Sequence, residues 1–132
     1  MSVILIDTNV VSYMMRGHTL ADAYRPILTR YVGALSFMTV AELYQGALSA
    51  GWGERRLALL EDQLSEYEIF SYTPEICRVW AEVRAARRRR PISAEDAWVA
   101  ATALVHSCPL VTHDAADFGG IAGLKVITAA AE

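Results

Sequence analysis

Four acidic residues, Asp7, Glu42, Asp96 and Asp114, stand where a carboxylate asks for an explanation. Asp7 closes the run "VILID" and Asp114 closes "LVTHD", so an apolar segment twice runs into a charge. Taken singly, each has an ordinary use. Asp7 reads as a helix N-cap, Asp114 as a turn residue, and Glu42 and Asp96 as first-turn acids that complement a helix dipole. Taken together at one place they pose a different problem. At ~5 Å spacing and an effective dielectric of ~20, each pair of ionised carboxylates repels by roughly 3 kcal/mol. Four acids make six such pairs, so either protons stay on the cluster or a cation sits in it. Hard oxygen donors select Mg2+ or Mn2+ over Zn2+, and no His or Cys cluster competes for the role. Asp117 is a fifth candidate: it holds a metal through water or only caps a turn before Phe118.

The elements around these residues decide whether they meet. Short apolar runs alternate with helical periods, which predicts an α/β fold with a parallel sheet and right-handed crossovers. "VILI" (3–6), "ALSF" (34–37), "YEIFSY" (67–72), "PLVTHD" (109–114) and "LKVIT" (124–128) read as five strands. Helices are expected over 8–15, over about 20–32 with Pro26 at a kink or break, and from Thr39 as N-cap. Further helices are expected over 53–66, from Pro74 through the arginines to just before Pro91, and over 93–107 with Ser93 as N-cap. In an open parallel sheet the functional crevice lies beyond the carboxyl ends of the strands. Asp7 and Asp114 belong there if their strands are neighbours, and Glu42 follows the second strand onto the same rim. Positions i+3, i+4, i+7 and i+8 from Asp96 are Val99, Ala100, Ala103 and Leu104, so Asp96 faces the sheet while Glu95 faces water. Carboxylates seldom turn inward without a partner.

Length and composition set the frame. The chain has 132 residues, one ordinary domain, and 54% are hydrophobic. No segment approaches the ~18 apolar residues of a membrane span. The N-terminal apolar run has no basic flank and stops at Asp7, which argues against a signal peptide. Cys77 and Cys108 form no metal-type spacing and read as reduced, buried thiols, in keeping with a cytoplasmic location. Net charge is −3, a weak argument against a nucleic-acid partner; without the four acids the remainder carries +1.

Eleven of the twelve basic residues are arginine, five of them between residues 84 and 90. The run "RAARRRR" is either a solvated helix end or, lying just before the Asp96 helix, a grip for phosphates with Arg87 and Arg88 in reach. Trp80 and Trp98 lie on apolar helical faces and read as core. Tyr13 and Tyr44 suit packing or base stacking near the rim. His113 points to the other strand face from Asp114.

The segments "LIDTNVV", "MTVAELYQGA", "SAEDAWVAATAL" and "LVTHDAADF" resemble, in order and spacing, the four acidic motifs of PIN domains, and are most similar to the VapC toxins of bacterial toxin–antitoxin pairs. Each motif is weakly specific; the ordered four are strongly so, and the resemblance spans nearly the whole chain. It implies one PIN domain over 1–132, a three-layer α/β/α sandwich with a central, mostly parallel five-stranded sheet. It also implies Mg2+- or Mn2+-dependent RNA cleavage, a homodimer and a cognate antitoxin. Carried over by position, Asp7, Glu42, Asp96 and Asp114 are the site acids, with Asp117 where the family often has another. Asn9 and Thr112 are expected as substrate contacts or supports of the acids. On this view Asp7, Asp114, Asp96 and Asp117 hold metal, Glu42 assists or orients water, and cleavage by metal-activated water leaves 5′-phosphate and 3′-hydroxyl ends. Two alternatives compete. A Mg2+-binding receiver-type signalling domain needs an aspartate ending the third strand, where "YEIFSYTPE" supplies none. A non-catalytic RNA-binding module would keep the acids for stability alone.

Overall fold

The computed structural model describes residues 1–130. Five strands form one all-parallel sheet: β1 (Val3–Ile6), β2 (Val32–Ser36), β3 (Glu68–Phe70), β4 (Leu110–Val111) and β5 (Val126–Ile127). Their order across the sheet is β3-β2-β1-β4-β5. The chain therefore builds outward from β1 in one direction, then returns to the other side of β1. That reversal makes the β1/β4 junction the topological switch point, where a crevice opens beyond the strand ends.

Six α-helices among the described residues cover the sheet: α1 (Thr8–Arg16), α2 (Ala21–Leu28), α3 (Phe37–Ser49), α4 (Glu54–Leu64), α5 (Pro74–Ala86) and α6 (Ala94–Val105). Alternation along the strands sends side chains to two cores. Ile4, Ile6, Leu35 and Val111 pack with Val10, Val11, Tyr24 and Leu60 from α1, α2 and α4. Leu5, Ala34 and Leu110 pack with Val83 of α5 and Val99, Ala100 and Ala103 of α6. Both sheet faces are covered, which explains why VILI carries no polar residue, and the result is the expected α/β/α sandwich. Each fully buried aliphatic side chain contributes about 1.5–3 kcal/mol of transfer free energy.

Several boundaries differ from expectation. α2 ends at Leu28 rather than near 32, because Val32 already pairs with Val3. Pro26 lies inside α2 without ending it at once; the helix closes two residues later. α3 starts earlier than expected: Ser36, not Thr39, is the N-cap, accepting from Met38 N–H at 3.1 Å, and Thr39 is buried inside the helix. Strands β3, β4 and β5 are shorter than their apolar runs. α5 stops at Ala86, so Arg84 lies in its last turn while Arg87 to Arg90 follow the helix instead of ending it. Trp80 and Trp98 are half-buried and stack on each other, with ring centroids 4.7 Å apart. Cys77 and Cys108 are both free thiols, Cys108 buried but Cys77 only partly so. Among the described residues no helix is long and apolar enough to cross a membrane.

Candidate active site

The register places the first acid. Leu5 pairs with Leu110 and Ile6 with Val111, so Asp7 comes level with Thr112 just past both strands. The Asp7 N–H extends the ladder by donating to the Val111 carbonyl at 2.9 Å. Its side chain does two things. Oδ1 accepts from Thr8 N–H at 2.9 Å, capping α1, and Oδ2 accepts from the Thr112 hydroxyl at 2.7 Å. The cap and the rim acid are thus one residue, and it is 7% exposed. The Thr112 hydroxyl in turn accepts from Asp114 N–H at 3.1 Å, tying the two aspartates through one oxygen.

Asp114 lies beyond the end of β4, at the start of a 3-10 turn (Ala115–Phe118) that also carries Asp117. Asn9 reaches across from the first turn of α1. Its Nδ2 donates to Asp114 Oδ2 at 3.1 Å, and its Oδ1 accepts from His113 N–H at 3.3 Å. His113 turns away to Tyr24, whose hydroxyl lies 2.7 Å from its Nδ1, and packs edge-on against Tyr13. Tyr44 is engaged elsewhere, donating to Glu61 at 2.9 Å.

Because α3 begins at Phe37, Glu42 falls in its second turn rather than its first, which removes the dipole explanation for that acid. Its Oε1 accepts from the Thr8 hydroxyl at 2.8 Å, and that hydroxyl also lies 3.1 Å from the Thr39 hydroxyl. Asp96 sits in the first turn of α6, its N–H donating to the Ser93 cap at 3.0 Å. Asp96 is half-buried and Glu95 exposed, as the helical face dictates.

The acids feel one another. Burial, then the charges of Asp7 and Asp117, pushes the Asp96 carboxyl up to about 6. Burial raises Asp7 above the usual aspartate range against the pull of its Thr112 and Thr8 bonds, and the Glu42 and Asp114 charges add to it. Burial also raises Glu42, assisted by Asp96 and Glu95. Five carboxylates from four separate segments therefore share one field. Among the described residues none of these acids is in an ion pair: the two that form, Arg25–Asp22 and Arg78–Glu82, are exposed.

The acids are nevertheless not preset as a chelate. Among the described residues no group of three or more His, Cys, Asp or Glu side chains is placed to hold a metal ion. The expected tight convergence is corrected to a looser cluster. Asp7 and Glu42 each turn an oxygen onto a threonine hydroxyl, and Asp114 turns one onto Asn9. The donor chemistry still fits Mg2+ or Mn2+: hard oxygens only, excess negative charge and hydrogen bonds that orient the carboxylates.

One of the two expected arginine contacts has another duty. Arg87 is buried and spends its guanidinium on backbone carbonyls, so the expectation that it grips phosphate does not hold for it. Arg88 is exposed. Sequence reasoning missed Thr8, whose neighbour Asp7 was conspicuous but whose partners come from α3, 31 and 34 residues away.

Beside Glu42 a cleft of about 340 Å3 runs between α1, α3 and α4, lined by Thr8, Ser12, Arg16, Leu43, Trp52 and Leu60 among others.

Residues 4–124 match the family model described as the PIN domain. Ribonuclease VapC2 of Haemophilus influenzae is 29% identical over 123 residues, covering 92% of this chain and 93% of that protein. Among solved structures, VapBC-1 from nontypeable Haemophilus influenzae superposes with a TM-score of 0.82 at 25% identity, over 96% of this chain and 98% of that one. VapBC-5 from Mycobacterium tuberculosis, a member of the VapBC family of toxin–antitoxin systems, gives 0.74 at 27% identity over 97% and 99%.

Proposed function

Because this chain belongs to the PIN domain family, we propose that it is a Mg2+- or Mn2+-dependent endoribonuclease and the toxin of a toxin–antitoxin pair. The observation that carries the proposal is the acid cluster at the β1/β4 switch point, in which burial and neighbouring carboxylates push up Asp7, Glu42 and Asp96. Acids retained for stability would be held below their ordinary range by partners; Asp7, Glu42 and Asp96 are held above it, which disfavours the purely structural reading.

Asp7, Asp96 and Asp114 are the residues that would hold the ion, with Asp117 beside them and Glu42 binding a second ion or orienting water. When bound, the ion supplies a water activated near neutral pH and offsets charge developing on the scissile phosphate. The chain's own residues do the rest. Thr112 and Thr8 fix Asp7, Asn9 aims Asp114, and Thr8 aims Glu42. Arg88 and Arg89, exposed between Arg87 and Arg90, would meet RNA phosphates. His113 is engaged with Tyr24, which favours metal-activated water over attack by the 2′-hydroxyl through an imidazole base.

A partner that silences the site belongs to the same reading, supported by the likeness to solved VapBC assemblies and by the largely apolar cleft that opens beside Glu42. So does a homodimer, whose check is sedimentation of the purified chain.

The test is cleavage of total RNA by the purified chain. Cleavage stops in excess EDTA, returns with Mn2+, and leaves 5′-phosphate and 3′-hydroxyl ends. Asp7→Asn abolishes both cleavage and growth inhibition. Products ending in 2′,3′-cyclic phosphate, or activity that survives chelation, sink the proposal.

A further inference from the structure

The arginine run after α5 divides into two kinds of residue. Arg87 is 9% exposed, unusual for a charged side chain just past a surface helix. Its Nε donates to the Arg90 carbonyl at 2.7 Å, closing the turn 87–90 on itself. Its Nη1 donates to the carbonyls of Asp117 at 3.2 Å and Gly119 at 3.1 Å. Arg90 completes the grip, its Nη2 donating to the Ala116 carbonyl at 2.6 Å. Two guanidiniums thus hold three carbonyls of a single short stretch, Ala116 to Gly119.

That stretch is the 3-10 turn of the acid site. Asp117 lies in it, and the turn is anchored at Asp114, whose carbonyl accepts from Asp117 N–H at 3.1 Å. A single 3-10 turn has few bonds of its own and poor geometry in them. It also carries two of the mutually repelling carboxylates, so left to itself it would swing the acids apart. Arginine suits the task because its planar fork offers several fixed donors where lysine offers one mobile point. A guanidinium already bonded to three carbonyls and shielded from solvent has no free edge for a phosphate. Arg88 and Arg89, exposed and without a side-chain hydrogen bond among the described residues, do.

We propose that Arg87 and Arg90 are positioning residues of the acid site: they fasten the Ala115–Phe118 turn to the end of α5, hold Asp114 and Asp117 at a set distance from Asp96, and thereby set the affinity for the divalent cation. The proposal rests on the metal-binding reading above.

The experiment measures Mn2+ binding by calorimetry on the full chain without RNA, with thermal melts to confirm folding. Arg90→Gln weakens binding roughly tenfold, the usual cost of losing a group that orients a ligand. Arg90→Lys recovers most of it, since one bond needs one donor. Arg87→Lys does not recover, since one ammonium cannot serve three carbonyls; if that variant fails to fold, the Arg90 pair decides alone. The double change Arg88→Gln with Arg89→Gln leaves Mn2+ affinity within about twofold and lowers the salt slope of RNA binding by roughly 1.4. Arg90→Gln that folds and binds Mn2+ as the wild type does overturns the proposal. A wild-type chain that binds no Mn2+ overturns the metal reading itself, a different and recognisable result.

Discussion

Asp7 answers the question its own position raises. One oxygen caps α1 and the other meets Thr112, so the ordinary use of a strand-end aspartate and its use in a site are served by the same carboxylate. Thr112→Val removes that contact and leaves Asp114 N–H without its acceptor. We expect a loss of about 1–3 kcal/mol in stability, the cost of an unsatisfied buried group, with a larger proportional fall in kcat than in substrate binding. Asp96 gives a pH prediction. Its folded carboxyl titrates at about 6, above the ordinary 3.8, so between those values the folded state binds more protons than the unfolded. Stability from this group is therefore lost as pH rises through that window. Asp96→Asn should melt higher than the wild type above pH 6 and lose the advantage near pH 4. The half-exposed position limits the gain to about 1 kcal/mol after solvent screening. An unchanged melting profile across that range removes the claim that this acid is strained. The acids were legible in the sequence because strand ends and helical faces are periodic features. Their hydroxyl partners were not, because Thr8 and Glu42 meet only through the packing of α1 on α3.

Helix starts repay the same scrutiny. Ser93 was legible as a cap and Thr39 was misread, and the difference is local. Ser36 is still the last residue of β2, with extended backbone at φ −70° and ψ 149°, and its hydroxyl captures Met38 N–H before Thr39 has the chance. The strand therefore passes into the helix with no linker, and Glu42 moves a turn deeper than the sequence suggested. Ser36→Ala is expected to cost about 1 kcal/mol in a urea melt. It should lower cleavage modestly through Glu42, far less than Asp7→Asn does. The arginine run shows the opposite failure. Composition alone leaves it either a solvated helix end or a phosphate grip, and only the return of residues 116–119 beside it reveals that Arg87 faces inward.

At the scale of the molecule, the fold class, the parallel sheet and the sandwich were legible because buried parallel strands leave unbroken apolar runs between amphipathic helices. Strand order was not, since nothing local says that β4 returns beside β1. The whole chain carries −3 with an uncompensated acid focus, so a divalent ion that binds the folded state alone stabilises it by mass action. Mn2+ at a hundred times its dissociation constant should add about 2.7 kcal/mol to the unfolding free energy. Asp7→Asn combined with Asp114→Asn should abolish that dependence in a thermal melt; a shift that persists places the ion elsewhere.

The contacts between Asp7 and Thr112 and between Asn9 and Asp114 each span 105 residues. During translation at ~5–20 residues per second, roughly 5 to 20 s separate the emergence of the first carboxylate from that of the last. A chain interrupted anywhere in that interval lacks Asp114 and its contact with Asn9, so on the proposed reading the site is complete only once residue 114 has been made.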